Sequence, residues 1–518
     1  MDTKNKAKGK KVLQQAVFTP KLVSAVFIFL QILILVIIYQ YFIEYADKYI
    51  WMSIGVTLLM VIYINNRNVS PEYKLAWMLP FAVLPIPSTF IYLVITYNPG
   101  YLKMKRTVTK REAETADLLK TPTSVKLEVE ESGGEFRNLA IYMENNASPV
   151  YNGVHVEYFP LGEDKFKRML EDLERAEKFI FLEYFIVKHG FMWDCILTIL
   201  ERKVQEGVEV RFMCDGTCAI AMLPYSYPKQ LEEKGLKAKM FSPMVPLLST
   251  HQNYRDHRKI LVIDGKVAYN GGVNLGDEYI NREEVYGHWK DTAVRIDGAA
   301  VNSFTRLFLQ LWNSSEEKCE DFAPYLTAET EQSVEAPGYV IPYGDGPTND
   351  KDVAKYVYLD IIQHARHYVH IMTPYLILDA EFEHALLNAV ERGIDVRIII
   401  PHIADKAIPF YIAQSNYPVL IEGGVKIYEY TPGFIHAKVF VSDDTTAVVG
   451  TINLDYRSLF LHFECGTYLY KVPAIDDIKR DFDETMEKSM LISLDYYRKL
   501  PLLHRAQGRV FKMFGPLM

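Results

Sequence analysis

Two segments of this chain repeat one set of side chains suited to phosphorus chemistry. His257, Lys259 and Asp264 recur as His436, Lys438 and Asp443, in the spacing His-x-Lys-x-x-x-x-Asp. An asparagine stands 17 positions past each histidine, at Asn274 and Asn453. With 13 histidines in the chain, one match could be accident; two with the same downstream spacing argue for a duplicated device. An imidazole can attack an electrophilic centre or protonate a leaving group, while ammonium and amide groups donate to non-bridging oxygens. One half-site holds one histidine. Two facing half-sites hold one to attack and one to protonate, which equips them for phosphoryl transfer through a covalent phosphohistidine.

The surrounding pattern predicts how these groups are held. In HRKILVI and HAKVFV the histidine and lysine are two apart in runs of apolar and β-branched residues, so they share one face of a strand. Asp264-Gly265 and Asp443-Asp444 are turn signals, so each motif reads as strand, tight turn and return strand. A turn-forming role explains Asp264 and Asp443 as well as a catalytic one. Upstream, ERAEKFIFLEYFI and GVEVR in one half match QHARHYVHIMTPYLI and GIDVR in the other. Strand and helix alternate in the same order in both, which predicts an α/β fold with helices flanking a mixed sheet.

These motifs resemble those of the phospholipase D superfamily, whose single-chain members carry HxKxxxxD twice. The resemblance implies two pseudo-symmetric domains sharing one active site at their interface. It implies His257 as nucleophile and His436 as acid and base, with the reverse assignment open. Lys259, Lys438, Asn274 and Asn453 would hold phosphate oxygens. The family also places an acidic residue downstream of each motif to orient its histidine. Here these are Asp291 in HWKDT and Glu464 in LHFECG, each compatible with a strand returning to the histidine of its own half.

The N-terminus narrows the resemblance. Leu22 to Ile43 carries no charge, Ile50 to Ile64 is a second apolar run, and Leu75 to Tyr97 a third, broken by Pro80, Pro85 and Pro87. The first is long enough for a bilayer, which needs about 20 apolar residues. Lysines before it and basic residues from Lys103 to Arg111 are inside signals, satisfied by two spans plus a re-entrant third. NRNVSPEYKLAWMLPF (66–81) and GTINLDYRS (450–458) are similar to stretches of bacterial cardiolipin synthases. That family implies transfer of a phosphatidyl group between two phosphatidylglycerols, giving cardiolipin and glycerol in the bacterial cell membrane, and the inside signals place the catalytic part on the cytoplasmic side. One phosphodiester is exchanged for another, so no cofactor is implied, and no metal-ligand pattern is evident.

The expected organisation is a membrane region over 1–112, a linker over 113–139, and phospholipase D-like domains over 140–325 and 326–518. A net charge of −8 argues against a nucleic-acid binder. Five dispersed cysteines suggest reduced thiols. The basic, apolar C-terminal tail suits either an anionic membrane surface or packing on the catalytic part.

Overall fold

The computed structural model describes residues 46–517 apart from 244–252, 328–335 and 349–350, with scattered positions between 29 and 40. Most of the Leu22–Ile43 run lies outside the described residues.

Alternation of side chains along the strands builds the catalytic part. The first half forms a seven-stranded mixed sheet. Its edge-to-edge order is His155–Phe159, Ala293–Asp297, Val267–Gly271, Lys259–Ile263, Phe179–Tyr184, Glu209–Asp215 and Lys237–Phe241. The second half repeats this around Val439–Ser442, which lies between Thr446–Gly450 and Tyr368–Met372 in a nine-stranded sheet. Phe179, Phe181, Ile260 and Val262 point to one face of the first sheet, where Val439, Val441, Val449 and Leu469 of the second meet them in a common core. The intervening Ile180, Leu182, Leu261 and Ile263 face helices on the outside. In the second half Phe440 and Val448 do the same. The result is four layers, helix–sheet–sheet–helix, with the fully buried helix Val301–Trp312 closing the shared core.

Each motif is a strand and a return strand, as the turn signals predict. Lys259–Ile263 pairs antiparallel with Val267–Gly271, and Val439–Ser442 with Thr446–Gly450. Asp264 and Gly265 both have positive φ (54° and 65°), as do Asp443 and Asp444 (54° and 56°). That is the type I′ geometry whose twist matches a hairpin. The Asp264 carboxylate accepts the backbone N–H groups of Glu177, Lys178 and Phe179 at 2.7–2.8 Å. Asp443 accepts those of Arg366, His367 and Tyr368 at 2.7–2.9 Å. Both aspartates therefore sit at the far end of their strand, roughly 16 Å from the lysine by strand rise. They tie the hairpin to the start of the neighbouring strand, and the catalytic alternative is corrected in favour of the turn-forming one.

The boundaries also change. Residues 123–145, expected to be mostly linker, form helices Thr123–Ser132 and Gly134–Asn145. Val125, Val129, Phe136, Leu139 and Met143 recur at helical spacing and bury against Ile341, Tyr343 and Val357 of the second half. Tyr151–Asn152 joins the second sheet as its edge strand. The polar composition of this stretch conceals one apolar stripe per helix.

Before these lie helices Ala46–Asn65, Pro71–Val83 and Pro85–Thr96. Trp77 and Tyr92 meet with ring centroids 5.0 Å apart across the break at Leu84, so the proline-broken run folds back on itself. Pro85 has no N–H to offer the Phe81 carbonyl, and the Thr57 hydroxyl of the preceding helix takes that place at 3.1 Å. Among the described residues no helix is long and apolar enough to cross a membrane. The C-terminal helix Leu502–Lys512 packs on Ala407–Ser415, where Gly508 leaves no room for a Cβ beside the Tyr411 carbonyl. Leu517 then reaches the Met60–Trp77–Tyr92 cluster.

Removing the Asp264 carboxylate should cost structure. Asp264→Ala leaves three amides without their acceptor and puts alanine in the left-handed region, a loss of about 2–4 kcal/mol. Asp264→Asn keeps one acceptor and tolerates that φ, so it should lose less than half as much in chemical unfolding of the detergent-solubilised protein.

Candidate active site at the interface of the two halves

The two histidines come together because each motif strand begins at the contact between the halves. The His257 N–H donates to the Phe463 carbonyl at 2.9 Å, and the Phe463 N–H to the Arg255 carbonyl at 2.8 Å. Symmetrically, Gly433–Ile435 pairs in parallel with His288–Lys290, and the His436 N–H donates to the Lys290 carbonyl at 2.7 Å. Each histidine is thus zipped to the segment that precedes the other half's acid.

The pairing of acids with histidines follows from this and differs from the expectation. His257 Nδ1 lies 2.9 and 3.0 Å from the two oxygens of Glu464, and His436 Nδ1 lies 2.6 Å from Asp291 Oδ2. The carboxylates are exchanged: each half orients the other half's histidine. Sequence distance within a half could not reveal this, because the crossing depends on how the halves dock. Both acids are fully buried. Asp291 Oδ1 also accepts the Thr292 N–H at 2.9 Å, and a Cβ at Gly272 would stand 2.0 Å from that oxygen. At the matching position of the second half Thr451 donates its hydroxyl to Glu464.

The lysines sit beside the histidines. Lys259 Nζ donates to the His257 carbonyl at 2.6 Å, and Lys438 Nζ to the His436 carbonyl. An ammonium has three donors, so each retains capacity for an anion. Burial takes Lys259 down to about 8 and Lys438 down to about 7. Burial also holds His257 well below the ordinary imidazole value against the pull of Glu464, and brings His436 to about 4 with Lys438 adding to the effect. Burial alone would raise Glu464, but its bond to His257 outweighs this and keeps it anionic. Both imidazoles are therefore neutral near pH 7, with Nδ1–H on the carboxylate and the Nε2 lone pair free. Lys259 depresses both His436 and Lys438, so the two half-sites share one electrostatic field.

The asparagines are partly committed. Asn274 accepts the Ile186 N–H at 3.0 Å and donates to Tyr279 Oη at 2.9 Å, and the Tyr279 ring lies 5.7 Å from His436. Asn453 donates to Ser458 Oγ at 3.1 Å, while its buried Oδ1 has no hydrogen-bond partner among the described residues. Two residues were not foreseen. Lys165, buried on helix Gly162–Glu174, donates to Tyr184 Oη at 3.2 Å beside Lys259, and burial pushes it down to about 7. His462 packs 5.4 Å from the His257 ring, with Nδ1 3.6 Å from Glu464. A lysine inside an amphipathic helix and a histidine two residues before the acid are their signals in the sequence. All five cysteines are free thiols.

The sequence matches the family described as "Cardiolipin synthase, PLD-like domain" over residues 169–312 and 358–486, one segment in each half. A cardiolipin synthase of Alkalihalophilus pseudofirmus is 33% identical over 89% of this chain and 91% of its own. The chain belongs to the cardiolipin synthase family. Cardiolipin synthase 2 of Bacillus anthracis is 33% identical over 88% of this chain and 89% of its own length. An uncharacterised protein of Streptococcus mutans is 49% identical over 88% of this chain. Among solved structures, phosphatidylserine synthase of Haemophilus influenzae shares the fold, with a TM-score of 0.52 at 17% identity over 70% of this chain and 93% of that one. Membership in this family makes the chain a phosphatidyltransferase of the phospholipase D superfamily.

The exchanged pairs should appear in double-mutant cycles of stability. His257 with Glu464, and His436 with Asp291, should couple by about 1–3 kcal/mol, and the same-half combinations by less than 0.5. Stability should also fall on acidification. Between pH 6.5 and about 4 the unfolded chain binds a proton that folded His436 refuses, so the unfolding midpoint drops through that window. His257 contributes with the same sign, and His436→Gln should flatten the slope.

Proposed function

We propose that this protein joins two phosphatidylglycerol molecules into cardiolipin, releasing glycerol, through a phosphatidyl-histidine intermediate. The observation that carries the reading is the exchanged pair of carboxylate-bound histidines at the contact between the halves, with two buried lysines beside them. In the first step His257 Nε2 attacks phosphorus, the P–O bond to the leaving glycerol breaks, and the His436 imidazolium protonates that oxygen. Burial keeps His436 neutral in the free site; the arriving phosphodiester anion favours the protonated form, so Nε2 takes a proton from solvent as the lipid binds, and the second step returns that proton. In the second step a glycerol hydroxyl of another phosphatidylglycerol gives its proton to His436. Its oxygen attacks phosphorus, and the P–N bond breaks.

The remaining groups have roles in the same scheme. Lys259 and Lys438, with Asn274 and Asn453, hold the non-bridging oxygens as charge builds on them. Glu464 and Asp291 keep the Nδ1 proton in place, so that Nε2 faces phosphorus. The N-terminal helices anchor the protein in the bacterial membrane, with the catalytic halves on the cytoplasmic side. Exposed Trp51, Leu59, Leu75 and Phe90 support contact with lipid.

Purified protein given phosphatidylglycerol alone should yield cardiolipin and glycerol, and His257→Ala neither. Phosphatidic acid as the main product would make water the acceptor and replace transfer by hydrolysis. A phosphatidyl ester of p-nitrophenol needs no protonation to leave. On it, His436→Ala should keep the first burst of p-nitrophenolate that His257→Ala loses; the opposite result would reverse the two roles.

A further inference from the structure

We propose that His257, His462 and Glu464 form a binding site for a zinc-type divalent cation, and that filling it silences His257. The three are nine-tenths or more buried and offer one donor atom each, all within 4.8 Å of one another. Glu464 Oε1 lies 2.9 Å from His257 Nδ1 and 3.6 Å from His462 Nδ1. Ligand atoms around a tetrahedral zinc ion stand roughly 3.3 Å apart, given bonds of about 2.0–2.1 Å. Two imidazoles and a carboxylate with one open position is a donor set that zinc favours over magnesium or calcium. The second observation is His462 itself. Both of its ring nitrogens are buried with no hydrogen-bond partner among the described residues, although a buried polar group ordinarily finds one.

Among the described residues the arrangement occurs in one half only. Trp289 stands two residues before Asp291, as His462 stands two before Glu464, and its ring lies 5.7 Å from His436. An indole offers no lone pair to a metal, so the pseudo-symmetric position lacks a third ligand.

Silencing follows from tautomer chemistry. Neutral imidazole carries one proton. In the metal-free site it is on Nδ1, directed at Glu464, and Nε2 has the free pair. A cation on Nδ1 displaces that proton and leaves the imidazole able to remain neutral only with its hydrogen on Nε2, where no pair is then available for attack. The same ion occupies Glu464, the group that normally holds His257 in place. The site itself depends only on this geometry; its consequence for turnover rests on the transferase reading above.

The test uses full-length protein in detergent, freed of metal by chelation. Zinc stoichiometry is read by equilibrium dialysis, ligand geometry by the visible spectrum of Co²⁺, and turnover on phosphatidylglycerol in zinc-buffered solutions. The expected result is one zinc per chain, tetrahedral cobalt bands, and a rate that falls along the same curve as occupancy. His462→Gln should raise both the binding and the inhibiting concentration by roughly 10- to 100-fold or more, relative to its own metal-free rate. His462→Asn serves if that variant does not fold. Unchanged zinc affinity in a folded His462 variant, or full occupancy without loss of rate, would overturn the proposal. Absence of cardiolipin from metal-free wild type would instead sink the transferase reading, and dialysis and cobalt spectra would still decide the site.

Discussion

Everything in the catalytic part depends on the exchange of carboxylates between the halves. A fully buried carboxylate is tolerable only when it is hydrogen-bonded, and Glu464 finds its partner in the opposite half. The same is true of Asp291 and His436. Pulling the halves apart would take each imidazole off its carboxylate, so assembly of the active site and cohesion of the domains are one event. The backbone bridges at Asp256 and Phe463, and between Gly433–Ile435 and His288–Lys290, fix this register to within a hydrogen bond. A shift of one residue would take both histidines off their acids.

That constraint explains the odd electrostatics of the site. Two lysines and two histidines are crowded into a buried volume with two carboxylates, and burial weakens every cationic form. A free site with depressed lysines is an unsatisfied one, since each ammonium is held there by little more than a histidine carbonyl. A bound anion would supply what is missing. On the transferase reading proposed above, affinity for the phosphodiester and chemistry on it would have one source, the poor solvation of these cations.

The fold was legible in the sequence to the extent that periodicity reports burial. Alternation in KILVI and VFVS, and the turns at Asp264-Gly265 and Asp443-Asp444, mark the two hairpins directly. The positions of His257, Lys259, His436 and Lys438 follow from that pattern alone. What the pattern could not carry was contact at long range. Asp291 and Glu464 are recognisable as acids on return strands, but which histidine each serves is decided by docking of the halves. Residues 123–139 look like linker because the apolar stripe of their helices is narrow and the remaining faces are polar. His462 is invisible for the same reason: its significance lies in a neighbour about 200 positions away.

Pseudo-symmetry is also where the two histidines part company. Around Asp291, Gly272 makes room for a short acid pressed against the backbone, and Trp289 with Tyr279 encloses His436 in aromatic rings. Around Glu464, Thr451 bonds one oxygen while both oxygens lie within reach of His257. Each carboxylate is held by a second donor, Asp291 by the Thr292 N–H and Glu464 by the Thr451 hydroxyl, and a fixed carboxylate fixes the imidazole it binds. What differs is the wall around each ring: Trp289 and Tyr279 beside His436, Phe185 and His462 beside His257, so the duplicated device presents its two imidazoles to different neighbours.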